Sequence, residues 1–281
     1  MPELPEVETI LQRLLTVLPG KQIQTIEVLR SKSFVGEPAP LVGATITGIE
    51  RRSKVLIFSF DRPEKVLVHL KMTGQLIYVD ATTRLGGGHP TADWIQALPS
   101  THTRVAIGLS EGAQLFFNDQ RVFGWLKVVD QAGMNAEFAA LGPDITESSV
   151  TPAYFFSGIK KRSIPIKQLI MENSFIAGVG NIYANDALHA AGIDPFQPAC
   201  ALKRQDSDRL LEALKTVIQL GISMGGATID HFRHIDGFSG NYQTIVRVYG
   251  KEGCACGVCG DEIKRKKLGG RSTFYCPTCQ G

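Results

Sequence analysis

Four of the chain's six cysteines fall in two pairs, Cys256-Gly-Val-Cys259 and Cys276-Pro-Thr-Cys279, with sixteen residues between them. Two such knuckles can present four sulfurs to one centre, and a tetrahedral zinc ion takes thiolate ligands at ~2.3 Å. The paired spacing favours zinc over disulfides or an iron–sulfur cluster. Cys200 and Cys254 have no partner at a matching spacing, a usage that fits a reducing compartment. Between the knuckles, Leu268-Gly269-Gly270 reads as a hairpin turn flanked by Lys264, Arg265, Lys266 and Lys267 on one side and Arg271 on the other. The segment from Lys251 to Gly281 is as basic as the whole chain, whose formal charge is +3. Zinc with four thiolates is negative, so the useful positive field is local to the hairpin. A hairpin of this kind suits phosphate, although a solvated charged face has the same composition.

The remainder of the 281 residues is long enough for about two domains at roughly 100–200 residues each. Leu4, Val7, Ile10, Leu11, Leu14, Leu15 and Leu18 recur at helical spacing, with Pro5 in the first turn and Pro19-Gly20 as the stop. From Ile23 to Phe123 the texture changes to short β-branched and aromatic runs punctuated by glycine and proline, which predicts antiparallel sheets packed as a sandwich. The stretch from Asp80 to Thr103, with Gly86-Gly-Gly-His-Pro90, reads as a surface insertion without assigned function. After Gly142-Pro143-Asp144 the periodicity turns helical, over Tyr154 to Ile159, Ile166 to Asn173, Tyr183 to Ala191 and Asp206 to Met224. The expected organisation is α+β and multidomain: a β domain over residues 1–132, a helical domain over 150–240 and a cysteine-bearing hairpin over 245–281.

Several function classes find no support. No apolar run approaches the ~20 residues of a membrane span, and the acidic start Met1-Pro-Glu-Leu-Pro-Glu6 is unlike a secretory signal, so a cytoplasmic location is expected. There is no P-loop and no H-E-x-x-H; His231 and His234 share an i, i+3 spacing without a third ligand. Gly178-Val-Gly-Asn181-Ile-Tyr-Ala184 resembles a dinucleotide fingerprint only loosely and lacks the preceding strand. A helix starting near Asn181 instead aims backbone amides outward, which favours a nucleic-acid phosphate over a plain interhelical turn or a nucleotide pocket. At the N-terminus, Glu3, Glu6 and Glu8 suit the positive end of the first helix. Removal of Met1 would also expose Pro2 as a secondary amine. An α-amine with a pKa near 7.7–8.0 is roughly a tenth neutral at pH 7. Its adduct with an aldehyde-like carbon is a permanently cationic iminium, an electron sink for eliminations.

Taken together these residues resemble the formamidopyrimidine-DNA glycosylase (Fpg) family, which includes the endonuclease VIII type. The resemblance runs from Pro2 to Cys279 through six pieces in order. They are Pro2-Glu-Leu-Pro-Glu-Val-Glu-Thr9, Arg51-Arg-Ser-Lys54, His69-Leu-Lys-Met72-Thr-Gly74, Asp119-Gln-Arg121-Val-Phe123-Gly124, Gly178 to Ala184, and the zinc ribbon with Arg271-Ser-Thr-Phe-Tyr-Cys276. It implies an N-terminal helix with an antiparallel β-sandwich, a helix–two-turn–helix domain and a C-terminal four-cysteine zinc ribbon. It also implies a bifunctional glycosylase and abasic-site lyase acting on damaged duplex DNA as a monomer, with one structural zinc ion and no nucleotide cofactor. In that pattern Pro2 attacks C1′ of a flipped nucleotide and Glu3 protonates the sugar oxygen, because C1′ is inaccessible inside an intact stack. Lys54 assists β-elimination, Arg271 assists δ-elimination, and Glu6 supports the site.

Met72, Arg121 and Phe123 match the family's void-filling trio, in which an apolar wedge replaces the flipped base and arginine addresses the orphaned partner. His102, Arg121, Arg162, Asn181 and Arg271 match DNA-contact positions, with Lys161 in place of Arg162 if the register slips by one. Asp186 stands where glutamate is commoner, Arg104 where a second histidine is usual, and Asp230 where a basic residue is common. Asp236-Gly-Phe-Ser-Gly-Asn-Tyr242 retains the glycine-rich loop that Fpg-type members fold over oxidised purines. The resemblance therefore implies 8-oxoguanine and formamidopyrimidines as substrates. The alternatives are endonuclease VIII-like excision of oxidised pyrimidines and a catalytically dead DNA-binding relative.

Overall fold

The structure, a computed structural model, describes residues 2–88, 97–227 and 240–281 together with the backbone of 233–234. His89, Asp230, His231 and most of the Asp236–Tyr242 loop lie outside the described residues. The chain divides into two compact units, Met1–Ala139 with Met224–Gln243, and Ala140–Ser223 with Thr244–Gly281.

The first unit opens with helix α1 (Leu4–Leu14), shorter than the apolar stripe predicts, although Leu18 beyond its end is fully buried. Strands β1 (Ile23–Val28), β2 (Phe34–Val35), β3 (Ile46–Arg52), β4 (Val55–Phe60), β5 (Lys65–His69), β6 (Gly74–Val79), β7 (Arg84–Gly88), β8 (Thr103–Leu109), β9 (Gln114–Asp119) and β10 (Trp125–Val129) follow. Helix α2 (Gln131–Phe138) ends this run, and β11 (Arg233–His234) belongs to the same unit. The order β1-β8-β9-β6-β7-β11 forms one sheet and β2-β10-β5-β4-β3 the other. Alternation along the strands sends Leu76, Tyr78, Leu115 and Phe117 from the first sheet to meet Leu56, Phe58, Val66 and Val68 from the second. Val7, Ile10, Leu11 and Leu14 of α1 join this same core, so the helix that begins the chain is fixed against the sandwich.

Part of the segment read as an insertion is strand. Arg84–Gly88 pairs with β6 from Val79↔Arg84 to Gln75↔Gly88 and packs against α1. Glycine has low strand propensity, which hides the strand in the sequence, but here close backbone approach demands it. A Cβ at Gly86, where φ is +145°, would lie 1.9 Å from the Leu76 carbonyl oxygen, and one at Gly88 would lie 2.3 Å from that of Gly74.

The second unit contains α3 (Pro152–Lys160), α4 (Ile166–Ile170), α5 (Asn181–Ala190) and α6 (Arg204–Ser223), then the hairpin β12 (Lys264–Leu268) and β13 (Arg271–Tyr275). Thr151 caps α3 by accepting the Tyr154 N–H at 3.1 Å. On α6, buried Leu210, Leu214 and Val217 form the stripe read from the sequence. The Asp186 carboxylate, fully buried on α5, accepts backbone N–H bonds from Arg247, Val248 and Tyr249. That clamp ties the turn leading into the cysteine segment to the helix. Among the described residues no helix is long and apolar enough to cross a membrane.

The close approach at β7 can be tested. Gly86→Ala should lower the unfolding free energy in urea by about 3 kcal/mol, while Gly48→Ala, where a Cβ meets nothing within 4 Å, should change it by under about 0.5 kcal/mol. Equal effects of the two substitutions would remove the steric argument.

Candidate active site and nucleic-acid interface

Glu3 is extended, with φ −95° and ψ −172°, and α1 starts directly after it with Pro5 in its first turn. Its N–H donates to Glu6 Oε2 at 2.7 Å, and the other Glu6 oxygen accepts the Ala227 N–H at 2.8 Å. Both glutamates are buried. Pro2, also buried, therefore sits one residue before a backbone group pinned from inside the fold. Further along the helix, Glu8 Oε2 pairs with Arg51 Nε at 2.7 Å, and the same guanidinium donates through Nη1 to the Ser53 carbonyl oxygen at 2.9 Å. Ser53 has a left-handed φ of 56°, and buried Lys54 follows it in the β3–β4 turn. The ion pair thus couples α1 to the turn that carries the candidate lysine.

His69 lies at the end of β5. Burial first, then the charges of Lys71 and Lys54, push its pKa down to about 3, so the imidazole is neutral. Its Nδ1 accepts the Lys71 N–H at 3.0 Å, which places the ring proton on Nε2. Lys71 in turn has φ 51° and precedes Met72, a large apolar side chain that is 40% exposed. Phe123 is 52% exposed, follows Val122 with φ 56°, and carries the Arg121 guanidinium 4.7 Å from its ring centroid. A left-handed conformation costs a residue other than glycine roughly 1–2 kcal/mol, so neither loop holds its shape without compensating bonds. Exposed apolar side chains of this kind are able to insert between base steps. His102 is half-buried at the start of β8, where its carbonyl accepts the Asp119 N–H at 2.9 Å. Arg104, the departure from a second histidine, donates Nε–H to the Asp119 carbonyl at 2.7 Å and Nη1–H to that of Thr101 at 3.1 Å.

In the second unit, Gly178 adopts φ 100° and Gly180 caps α5, whose first residue is Asn181. The Asn181 side-chain amide donates to the Ser272 carbonyl at 3.1 Å. Asn185 accepts the Phe274 N–H, and buried Lys167 of α4 donates to Ser272 O and Thr273 Oγ1, each at 2.9 Å. Strand β13 is therefore docked on α4 and α5 by three polar side chains. Arg271, its first residue, pairs with Leu268 across the hairpin turn and is exposed. Arg162 and Lys161 are exposed at the end of α3.

The four cysteine sulfurs lie within 4.8 Å of one another. Cys256 and Cys279 are 3.9 Å apart and Cys259 and Cys276 3.4 Å, too far for disulfides. A tetrahedron of sulfurs 2.3 Å from a zinc ion has edges of about 3.8 Å, so the donor set fits that ion. His189 of α5 adds an imidazole nitrogen 3.3 Å from Cys256 Sγ, a tie between helix and knuckle.

The expected residues fall into two groups. Pro2, Glu3, Lys54, Met72, His102, Arg121 and Phe123 belong to the first unit, and Arg162, Asn181, Arg271 and the four cysteines to the second. Sequence reading assigned nothing to His69, Asp119, Lys167 or His189. Asp119 alone offered a signal, a carboxylate two, four and five residues before loop N–H groups.

Comparison with known proteins covers the chain almost end to end. Residues 1–126 match the formamidopyrimidine-DNA glycosylase N-terminal domain, 141–233 the formamidopyrimidine-DNA glycosylase H2TH domain, and 255–281 a zinc finger found in FPG and IleRS. A formamidopyrimidine-DNA glycosylase of Pelotomaculum thermopropionicum is 39% identical over 287 residues, covering 100% of this chain and 99% of the relative. The crystal structure of the MutM (FPG) protein from Thermus thermophilus superimposes with a TM-score of 0.86 at 34% identity, covering 100% of this chain and 99% of that one. The Lactococcus lactis Fpg in complex with DNA containing an abasic site gives 0.88 at 29% identity, covering 100% of both. With its helix-and-sandwich unit, its helix–two-turn–helix and its cysteine cluster all accounted for, the chain belongs to the formamidopyrimidine-DNA glycosylase family.

Proposed function

We propose that this glycosylase and abasic-site lyase excises oxidised purines, 8-oxoguanine and formamidopyrimidines, from duplex DNA through the amine of Pro2. The observation that carries the reading is the pinned N-terminus: Glu6 holds the Glu3 N–H, so the preceding amine has a fixed place beside a buried carboxylate. The prolyl nitrogen bonds to C1′ of the extruded nucleotide while the C1′–base bond breaks and the base leaves with a proton. Glu3 delivers a proton to the ring oxygen, and the sugar opens to an iminium. Because that nitrogen has no proton to lose, the cation persists and acidifies C2′. Loss of a C2′ proton expels the 3′ phosphate, and a second elimination expels the 5′ phosphate. Lys54 assists the first elimination and Arg271 the second.

Met72 and Phe123 fill the space left by the base, Arg121 faces the orphaned partner, and His102, Arg162 and Asn181 hold the backbone. The purine preference rests on the sequence of the Asp236–Tyr242 loop. Cys256, Cys259, Cys276 and Cys279 hold one structural zinc ion that fixes the hairpin bearing Arg271. The protein works as a monomer on chromosomal DNA in the cytoplasm, without a nucleotide cofactor.

Borohydride added to the protein and an 8-oxoguanine:cytosine duplex should trap a covalent adduct. A protein whose N-terminus carries one extra residue before Pro2 should trap none, and an adduct from that protein would overturn the proline mechanism. A thymine glycol duplex should be nicked more slowly than the 8-oxoguanine duplex; the reverse order would assign the chain to pyrimidine lesions. Chelation of the metal should abolish duplex binding while the far-ultraviolet signature of the β-sandwich persists. Undiminished binding and nicking after chelation would break the link between the cysteines and the DNA grip.

A further inference from the structure

The two loops that carry Met72, Arg121 and Phe123 share one anchor. Asp119, fully buried at the end of β9, accepts the hydroxyl of Thr73 and the Arg121 N–H at 3.2 Å on Oδ1. Its Oδ2 accepts the Phe123 N–H and the Gly124 N–H, each at 2.7 Å. One carboxylate thus holds the residue after Met72 and three backbone groups of the loop that carries Arg121 and Phe123. Thr73 Oγ1 is also 3.0 Å from the Arg121 N–H, closing a three-membered network between the loops. Behind the carboxylate, the backbone of Asp119 is held by the His102 carbonyl and by Arg104 Nε, so the anchor is fixed to β8. The left-handed Val122 sits inside the span these bonds close, between Arg121 and Phe123. An ionised carboxylate accepts on both oxygens, and only such a group can satisfy donors converging from two directions.

We propose that Asp119 is the positioning residue of the wedge: it sets the distance between Met72 and the Arg121–Phe123 pair, and so makes lesion excision depend on both loops together. The inference rests on reading those three side chains as the group that fills the void in a duplex. Asp119 touches neither DNA nor the reacting atoms and acts only through Thr73 and the loop. An asparagine has the same shape but turns one acceptor into an N–H donor. Turned toward Phe123 and Gly124, the amide nitrogen loses both of those bonds; turned toward Thr73, it loses the Arg121 bond and keeps Thr73 only if that hydroxyl rotates to accept. Thr73→Val removes the tie between the loops and leaves each loop its own bonds.

The experiment compares single-turnover excision from an 8-oxoguanine:cytosine duplex with cleavage of a preformed abasic site in a single strand, where there is no partner base and no void to fill. For D119N and for T73V the duplex-to-single-strand ratio of rates should fall about 10-fold each, with Thr73→Ser restoring the wild-type ratio. Discrimination between cytosine and adenine opposite the lesion should narrow in D119N. A general loss of fold would lower both rates together and leave the ratio unchanged, which would overturn the proposal. T73V, which removes a single hydroxyl, keeps the test open if D119N fails to fold, and an unchanged ratio in T73V would equally overturn it. F123A is the control for the underlying reading. If F123A excises from the duplex at the wild-type rate, the wedge assignment fails; if F123A is slowed while D119N and T73V are not, the assignment stands and the shared anchor fails.

Discussion

The Glu6 carboxylate holds the beginning of the chain to a point 221 residues later. Each of its oxygens accepts a backbone N–H, one from Glu3 and one from Ala227, and almost none of the side chain reaches solvent. A buried carboxylate without such donors would be strongly penalised, whereas N–H bonds to a charged acceptor contribute roughly 1.5–3 kcal/mol each. An N-terminus is ordinarily the least ordered part of a domain, and a mechanism that uses the terminal amine requires the opposite. Here the order comes from α1, whose apolar face is part of the sandwich core, and from Glu6 and Glu8, which bind its polar side to Ala227 and Arg51. The location of Pro2 is therefore a property of the whole first unit.

What the sequence reveals and what it hides follow from how far apart the interacting groups are. The cysteine pairs are legible because a knuckle is a local structure and its spacing is its chemistry. The stripe of α6 and the alternation of the sandwich strands are legible for the same reason, since periodicity of burial leaves a periodic record. Strand β7 is hidden because its glycines serve the approach of a neighbouring backbone, and composition alone makes Gly86-Gly-Gly88 look like loop. Lys167 is hidden because its partners lie more than a hundred residues away, and a lysine in Ile166-Lys-Gln-Leu reads as a solvated charge. The sequence reads Asn181 as facing a phosphate, whereas in the structure its amide is engaged with the hairpin through Ser272. A side chain's partner is a tertiary fact that the turn sequence does not contain.

The zinc ribbon shows the same division of labour within one unit. Its knuckles bring four sulfurs together, and Val248, Ile263 and Phe274 form a small core beside them. Orientation comes from the helices. Asp186 fixes the backbone entering the ribbon, His189 touches Cys256, and Lys167, Asn181 and Asn185 hold β13. The cysteine cluster and the helices are thus complementary constraints on the hairpin that bears Arg271: a metal held by the first would stiffen it, and the second orients it.

The Arg121 guanidinium lies 4.7 Å from the Phe123 ring, over a backbone bent at Val122. An enzyme of this family must sample an immense excess of intact base pairs before it meets damage. A flexible probe would lose conformational freedom anew at every pair it tested, and each loss would slow the search. A probe assembled during folding bears that entropy once, so the dwell time per pair is left to the ease with which the DNA itself opens. Damaged pairs open more readily, and on the proposed reading of Met72, Arg121 and Phe123 a stiff wedge turns that difference into recognition speed.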